Sequence, residues 1–335
     1  MLLIVGTVAV FLILVLGGGA VLANASLSST YSPRRAVADY FAAQARGDVD
    51  GMMSNATFVP GGTSDLLFSK DAVAGMMATT ANQAISNVSV VSAQDLDSST
   101  SKVTVSMTWN DNQRTQTYTV RKDTGRMHDL IYYSWRVDIP STSITVTLPN
   151  QAGAVQIDGI SVSDPSSIAV IEGYHQVTML NTNLYDETSQ TANAVDGTAE
   201  ITFPSRMGAT AMAAATSSIK AAFGNVSCDA SQYYDCPNHA YTVQAGYYDT
   251  LPTPGGNITA NSSWRIAFTG DPTSGMTLVI TKDAGKVSVN GTCTMTLTID
   301  GSRKYNFKGT WSGTLTWANG GFGSDITESC DSTRA

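Results

Sequence analysis

Two cysteines and a histidine lie close together in the segment CDASQYYDCPNHA, residues 228–240. Cysteine and histidine side chains, such as those of Cys228, Cys236 and His239, can bind zinc. Two cysteines can also form a redox pair or a structural disulfide. A zinc site needs four ligands, and this segment supplies three at a spacing unlike that of zinc ribbons or fingers. A redox pair would have the spacing C-x-x-C at the start of a helix. The segment therefore predicts a disulfide between Cys228 and Cys236, without a metal.

The remaining two cysteines, Cys293 and Cys330, predict a second disulfide that ties the last residues back to the preceding strands. Four cysteines allow three pairings, and the closeness of the first pair along the chain favours this one. Tyr233 and Tyr234 lie between the first two cysteines, and exposed tyrosines are typical of recognition surfaces. These two tyrosines are therefore the candidates for a recognition loop.

Motifs of enzyme catalysis do not accompany these residues. The three histidines, His128, His175 and His239, stand outside any G-x-S-x-G or H-E-x-x-H setting. The carboxylate pairs Asp48/Asp50, Asp95/Asp97 and Asp186/Glu187 occur in turn-like or helix-capping contexts. We therefore expect a non-catalytic protein that needs no cofactor and no metal.

The first 23 residues are almost wholly apolar, and no charged side chain occurs before Arg34. As a helix that rises about 1.5 Å per residue, such a segment spans a hydrocarbon core of about 30 Å. A cleaved signal peptide is the alternative, because Ala23-Asn24-Ala25 matches a small-residue cleavage site. The length of the apolar run and the absence of a preceding basic residue favour a single-pass anchor.

Composition indicates on which side of the membrane the bulk of the chain lies. Charged residues make up 14% of the chain, the net charge is −8, and no basic stripe is present. These values exclude a nucleic-acid partner. The even number of cysteines and the abundance of serine and threonine favour an extracytoplasmic chain with disulfides at the cell membrane.

Local patterns predict the secondary structure that follows the anchor. Ser32 and Pro33 are a favourable N-cap and first residue for a helix that ends near Gly47. Asp48 and Ser69 are suited to cap two further helices. The alternation of Val103, Val105, Met107 and Trp109 with polar residues predicts a half-buried strand. The segment KDTGR, residues 122–126, predicts a hairpin turn in which Gly125 has a positive φ.

The whole chain is thus predicted to have an α+β fold. Its parts are a transmembrane helix (1–23), a tether (24–31), an α+β domain (32–138), a small β-sandwich-like module (139–204) and a second α+β domain (205–335) with the disulfides. The second α+β domain begins with an alanine-rich helix at about 206–223. Asp300-Gly301 predicts a hairpin between its long strands.

The segment AVADYFAAQARGDVDGMM, followed by long antiparallel strands, resembles the NTF2-like (cystatin-like α+β) domains of exported actinobacterial single-pass membrane proteins. The module 139–204 resembles PEGA or immunoglobulin-like repeats. The whole arrangement is distantly similar to the teicoplanin-resistance-associated membrane protein family, although that family's zinc ribbon has no counterpart here. NTF2-like folds also include enzymes with an aspartate base, for which the resemblance implies Asp39 or Asp129.

These observations lead to three expectations about function. The first is a membrane-anchored, extracytoplasmic binding or scaffolding protein of a Gram-positive cell envelope, with an envelope protein or a glycan as partner. The second is a pilin-like filament subunit whose apolar helix lies in the fibre core. The third is an NTF2-like small-ligand sensor or enzyme, which a deep pocket containing an ionisable group of raised pKa would favour.

Overall fold

The fold is known from a computed structural model, which describes residues 29–59, 66–128, 132–224, 227–229, 252–253, 256–257, 264–299 and 301–334. The chain forms two compact units. The first comprises the described residues up to Thr147 together with Ala154–Thr178 and Ser189–Thr202. The second comprises Leu148–Gly153, Met179–Thr188 and the described residues from Phe203 onward. The domain limits predicted from the sequence stay a prediction.

Three helices and a five-stranded sheet form the first part of the first unit. The helices are α1 (Pro33–Ala45), α2 (Val49–Asn55) and α3 (Lys70–Met77). The strands are β1 (Ala56–Phe58), β2 (Ile85–Asp95), β3 (Thr100–Trp109), β4 (Asn112–His128) and β5 (Tyr132–Ile139). Their order is β1-β5-β4-β3-β2, and β1 pairs with β5 in parallel while the other pairs are antiparallel.

The predicted helix caps are confirmed. The Ser32 hydroxyl accepts a hydrogen bond from the backbone N–H of Arg35, and Pro33 is the first helical residue. Asp48 and Ser69 cap α2 and α3 in the same way. Each cap satisfies a backbone donor that the helix itself leaves unpaired, and each is worth about 1 kcal/mol.

The helices cover one face of the sheet and bury its apolar residues. Val37, Tyr40 and Phe41 of α1 are at most 3% exposed. The alternating residues predicted for β3 are all buried: Val103, Val105, Met107 and Trp109. The strand alternation and the helix period therefore place both sets of apolar side chains in one core.

One predicted turn is wrong. The segment at residues 122–126 does not reverse the chain, because β4 continues to His128 with a register shift between Asp123 and Met127. Gly125 has no positive φ, and its N–H instead binds the Asp123 carboxylate at 3.0 Å. An aspartate that binds the backbone two residues later mimics turn chemistry, yet here it accommodates a bulge inside the strand.

Short strands complete the first unit. As predicted, the described residues between 139 and 204 contain no helix. They are β6 (Ser141–Thr147), β7 (Val155–Ile157), β8 (Ile160–Val162), β9 (Ile168–Ile171), β10 (Tyr174–Met179), β11 (Thr188–Asn193) and β12 (Ala199–Thr202). They form two sheets, with strand orders β11-β10-β7-β8 and β12-β6-β9. Strands β11 and β12 were not foreseen, because their sequences are short and polar.

Asn82 joins these short strands to the helices of the same unit. Its side chain is fully buried, and its amide nitrogen donates to the carbonyl oxygens of Met76 and Tyr174 at 2.7 and 2.5 Å. Its amide oxygen accepts from the backbone N–H of Tyr174 at 2.7 Å. A buried amide with all these bonds fixes the position of β10 relative to α3, because a shift of either element would leave buried polar atoms unpaired.

Gly75 is a second point of close approach in the first unit. A Cβ atom at this position of α3 would overlap the carbonyl oxygen of Asp158, which lies in the turn between β7 and β8. Gly75→Ala is therefore expected to lower the free energy of unfolding by about 1–3 kcal/mol, although alanine is the better helix former by about 1 kcal/mol. Urea denaturation measures the loss. A gain in stability, as expected at an exposed helix position, would show that the two segments do not touch.

The second unit packs one helix, α4 (Ala209–Gly224), on an antiparallel sheet. Its strands are β13 (Ser227–Asp229), β14 (Pro252–Thr253), β15 (Gly256–Asn257), β16 (Trp264–Phe268), β17 (Thr277–Ile280), β18 (Lys286–Ile299), β19 (Arg303–Ala318) and β20 (Gly321–Arg334). The large sheet has the order β13-β16-β18-β19-β20, and β17 also pairs with β18. Strands β14 and β15 pair only with each other.

The core of the second unit lies between α4 and this sheet. Ile219 and Phe223 of α4 are buried, and the Phe223 ring lies 5.4 Å from the ring of Trp311 on β19. Gly291 on β18 leaves the space that the indole of Trp311 occupies. The hairpin predicted at Asp300-Gly301 is confirmed, with Gly301 at φ 69° between β18 and β19.

The predicted fold class is confirmed in its coarse form, since the chain is a mixed α+β protein. The predicted membrane span, residues 1–23, lies outside the described residues. Within the described part of the chain, no helix is both long and apolar enough to cross a membrane.

Candidate functional site

The residues predicted to form a recognition loop, Tyr233 and Tyr234, lie outside the described residues, as does Cys236. Cys228 and Cys330 are described only in their backbone. Cys293 is 4% exposed and is disulfide-bonded. Both predicted pairings, Cys228–Cys236 and Cys293–Cys330, therefore stay predictions.

The carboxylates considered as catalytic groups have structural partners. Asp39 forms an exposed ion pair with Arg35 at 3.1 Å, four residues away on α1. Asp95 accepts from Ser101, and Asp186 accepts from the N–H of Ala209 at the start of α4. Asp129 lies outside the described residues. Among the described residues, Asp39, Asp95 and Asp186 are thus each engaged in a local structural contact.

His175 and Asp158 form a buried pair in the first unit. The His175 Nδ1 atom lies 2.6 Å from the Asp158 carboxylate, and its Nε2 atom lies 2.7 Å from the carbonyl oxygen of Ile171. Both side chains are 3% exposed. Both ring nitrogens therefore have a hydrogen-bonding partner inside the protein. A pair sealed in this way is structural, since no substrate reaches it.

A cleft that the sequence reading missed lies in the first unit, where the start of β4 meets the segments before β10 and after β11. Its volume is about 480 Å³. It is lined by Trp109, residues 112–116, Tyr174, Asn193, Val195 and Asp196. Most of these side chains are polar, and those of Asn112, Gln113, Thr115 and Asn193 are exposed.

Arg114 is the central residue of this cleft and is fixed on several sides. Its guanidinium pairs with Glu172 at 3.2 Å, donates to the carbonyl oxygen of Val195 at 3.1 Å and also pairs with Asp196. It lies over the ring of Trp109, with 5.5 Å between the guanidinium carbon and the ring centroid. Hydrogen bonds on several sides and an aromatic face thus hold this guanidinium in one orientation.

Glu172 lies behind the lining residues and holds two of them. Its second oxygen accepts from the Gln116 amide at 2.9 Å, and the Gln116 oxygen in turn accepts from the Tyr118 hydroxyl at 3.0 Å. The carboxylate is 8% exposed. Burial raises its pKa above the ordinary 4.5, although Gln116 and Arg114 act in the opposite direction.

Two buried phenols adjoin this carboxylate. Burial raises the pKa of Tyr40 and of Tyr118, and the negative charge of Glu172 raises both further. Both hydroxyls therefore stay protonated at neutral pH and act as donors. The inner wall of the cleft is thus a continuous polar network whose parts restrain one another.

The raised pKa of Glu172 gives a testable pH dependence. The folded state holds this proton more tightly than the unfolded chain, so the contribution to stability is complete below pH 4.5 and is lost as the pH rises through the raised pKa. Glu172→Gln cannot ionise. Relative to this variant, the free energy of unfolding of the wild type is expected to fall by up to about 1.4 kcal/mol for each pH unit between pH 4.5 and the raised pKa.

Urea denaturation of both proteins between pH 4 and pH 8 measures this difference. The neighbouring charged groups Arg114 and Asp196 and the phenols of Tyr40 and Tyr118 are common to both proteins. Parallel stability curves for the two proteins would contradict a raised pKa at Glu172.

A larger groove of about 1090 Å³ lies along α4 in the second unit. It is mostly apolar, with Met207 and Met212 among its lining residues. Its polar groups are already engaged or exposed: Asp186 caps α4, and Lys220 pairs with Asp271 at 3.1 Å. The smaller cleft around Arg114 is therefore the better candidate, because a buried carboxylate fixes its polar groups in advance.

The sequence contained one signal for this cleft. Arg114 and Gln116 occupy alternate positions of β4 on the face that also carries the buried Tyr118 and Val120. Polar residues at core-facing positions are unusual unless they have partners. Their partners are distant in sequence, since Glu172 and Asp196 lie 58 and 82 residues from Arg114.

Within the described residues, no group of histidine, cysteine, aspartate and glutamate side chains is arranged to hold a metal ion. The cleft instead offers amides, hydroxyls, one guanidinium and aromatic carbon, which suit reversible binding. No protein-family model, no curated protein and no solved structure matches this chain, so its function has to be inferred from its own geometry.

Proposed function

We propose that this protein is a membrane-anchored, extracytoplasmic binding protein of a bacterial cell envelope, and that the cleft around Arg114 is its ligand site. The observation that carries the proposal is the network of Glu172, Arg114 and Gln116. This network fixes polar lining groups before a ligand binds, and such preorganisation reduces the entropy lost on binding.

Two further observations support the location. The disulfide of Cys293 is of a kind that persists in oxidising compartments outside the cytoplasm. The apolar run of residues 1–23 has the length and composition of a transmembrane helix. The three helices and the five-stranded sheet of the first unit support the proposal that this part of the chain is an NTF2-like domain.

The same cleft supports a second candidate function, that of a small-ligand sensor. A buried carboxyl with a raised pKa beside a cleft is a frequent feature of functional sites. In such a sensor, Glu172 acts as a positioning residue, because it contacts Arg114 and Gln116 and does not itself line the cleft.

The test of the proposal combines location with binding. The full chain, expressed in bacterial cells, is expected in the membrane fraction and open to a protease added outside the cells. The purified full chain is expected to sediment with insoluble cell-envelope polymer. The variant Asn112→Ala/Asn193→Ala changes two exposed lining residues, and we expect it to weaken this binding roughly tenfold through the loss of two hydrogen bonds.

Ser92→Ala/Gln94→Ala is the matched control, since both residues are exposed and lie two apart on β2, outside the cleft lining. The control is expected to bind as the wild type does. Protection from external protease would refute the location. Equal binding by the two double variants would refute the assignment of the cleft as ligand site.

A further inference from the structure

We infer that the ligand of the Arg114 cleft is a neutral, polyhydroxylated molecule, namely a saccharide. This inference rests on the proposed role of the cleft as a ligand site and adds the chemical class of the ligand. It is derived from the charge of the cleft, from its hydrogen-bonding groups and from its aromatic surface.

The charges disfavour an anionic ligand. The guanidinium of Arg114 faces two carboxylates, Glu172 and Asp196, and also donates to the Val195 carbonyl oxygen. Three of its five N–H donors therefore bond within the chain, its charge faces two carboxylates, and no other basic side chain belongs to the described lining. The Asp196 side chain is 81% exposed, so it repels an approaching phosphate or carboxylate.

The exposed amides of the lining match hydroxyl groups. The Asn112 amide nitrogen donates to the carbonyl oxygen of Asn110 at 3.0 Å, and the Asn193 amide oxygen accepts from the N–H of Val195 at 3.2 Å. Each amide has two donors and an oxygen acceptor, so each can also bond to a ligand, and Tyr174 contributes a hydroxyl. A sugar hydroxyl is donor and acceptor at once, so it can bond to the remaining donor or acceptor of each amide.

Tyr174 provides the apolar contact that sugar recognition also requires. Its ring is half-buried and meets the ring of Trp109 edge to face, with centroids 6.3 Å apart. Its hydroxyl accepts from Asn110 at 3.3 Å, which fixes the ring orientation. An aromatic side chain with an apolar body and a polar tip can pack on the C–H face of a sugar ring while its hydroxyl bonds to the ligand.

The volume is consistent with one short saccharide segment. Small-molecule pockets measure roughly 300–1,000 Å³, and the cleft of about 480 Å³ lies in the lower part of this range. The segment can come from a free oligosaccharide or from a cell-wall polysaccharide, because both present the same rings and hydroxyls.

Isothermal titration calorimetry on the purified full chain, held in a detergent without a sugar headgroup, tests the inference. The probes are neutral di- and trisaccharides of glucose, galactose and mannose, a uronic-acid oligosaccharide and inorganic phosphate. At least one neutral saccharide is expected to bind. The affinity should change less than twofold between 0.05 and 0.5 M NaCl, because screening does not weaken contacts with an uncharged ligand.

The variants separate the cleft from the rest of the surface. Asn112→Ala/Asn193→Ala is expected to weaken saccharide binding roughly tenfold, while Ser92→Ala/Gln94→Ala leaves it unchanged. Circular dichroism and thermal unfolding establish that both fold as the wild type does. Sedimentation with an insoluble neutral polysaccharide, with and without competing oligosaccharide, distinguishes polymer from free sugar as the source.

The possible results distinguish failure of the saccharide inference from failure of the proposed binding function. Binding only of phosphate or of the uronic-acid probe, or saccharide binding unaffected by the cleft variant, overturns the saccharide inference. Loss of envelope-polymer binding in the cleft variant, without competition by any saccharide, overturns the inference and leaves the proposed function intact. Absence of binding to polymer and to every saccharide overturns both.

Discussion

Replacing His175 with leucine is expected to lower the free energy of unfolding of the first unit by about 3–5 kcal/mol. The substitution removes the ring that pairs with Asp158 and leaves a carboxylate that is 3% exposed without its counter-charge. The backbone N–H of Gln176 remains as a partner of that carboxylate, at 2.9 Å. The carbonyl oxygen of Ile171 also loses its donor, which adds a buried unsatisfied acceptor.

A second substitution separates the charge from the loss of packing. In His175→Leu/Asp158→Asn the buried group is a neutral amide, and we expect more than about 1 kcal/mol to be recovered because a buried amide costs less than an unpaired charge. Hydrogen exchange followed by mass spectrometry measures the stability of the first unit separately. Glu200→Gln removes an exposed charge from β12 and should stay within about 0.5 kcal/mol of the wild type.

If His175→Leu proves as stable as the wild type, the pair is not the buried ionic contact described above. If both variants lose the same stability, packing rather than charge accounts for the loss. Either result would contradict an ionic contribution of this pair to stability.

The second large effect concerns the disulfide of Cys293, whose loss is expected to cost the second unit about 4 kcal/mol if Cys330 is the partner. The cost is large because this bond closes a long loop, which restricts the unfolded chain more than a short loop does. The shorter loop between Cys228 and Cys236 predicts a smaller cost of about 2–3 kcal/mol.

The backbone places Cys330 nearer in register to Cys293 than Cys228 is. Cys293 on β18 pairs with Gly309 on β19, and the register shift of β20 between Ser329 and Thr333 places Cys330 beside the same glycine, with the width of β19 between the two cysteines. Cys228 pairs through Ile266 with Leu297, four residues along β18 from Cys293.

Disulfide mapping by mass spectrometry and urea denaturation of alanine variants test this pairing. Cys293→Ala and Cys330→Ala are expected to lose similar stability, and the double variant no more than either. Cys228→Ala/Cys236→Ala should lose its smaller amount independently of the first pair. A Cys293 peptide linked to Cys236 would contradict the predicted pairing.

Local signals explain what the sequence predicted well. The caps at Ser32, Asp48 and Ser69 and the alternation in β3 depend on neighbours within a few residues, and the folded chain uses them as expected. The hairpin predicted at 122–126 failed although its residues suit a turn. Strand β4 pairs with β5 on both sides of this segment, through Asp123 and Met127, and residues 124–126 become the extra residues of a bulge.

The cleft could not be derived in the same way. It depends on Arg114 meeting Glu172 and Asp196, which belong to segments far along the chain, and no local rule predicts which distant carboxylate a lone arginine will meet. The polar residues on the inner face of β4 indicate a buried hydrogen-bonded network. They do not indicate its partners, because those residues are distant in sequence. The pair of His175 and Asp158 could not be predicted for the same reason.

The contacts of Asn82 have a consequence for the time course of folding. They join Asn82 to Gln44, which is 38 positions away along the chain, and to Tyr174, which is 92 positions away. Such contacts form only after long loops have closed. Contacts of such high sequence separation slow folding, because loop entropy is lost before the contact stabilises the chain. The docking of the short strands on the helices is therefore expected to be among the slower steps in the folding of the first unit.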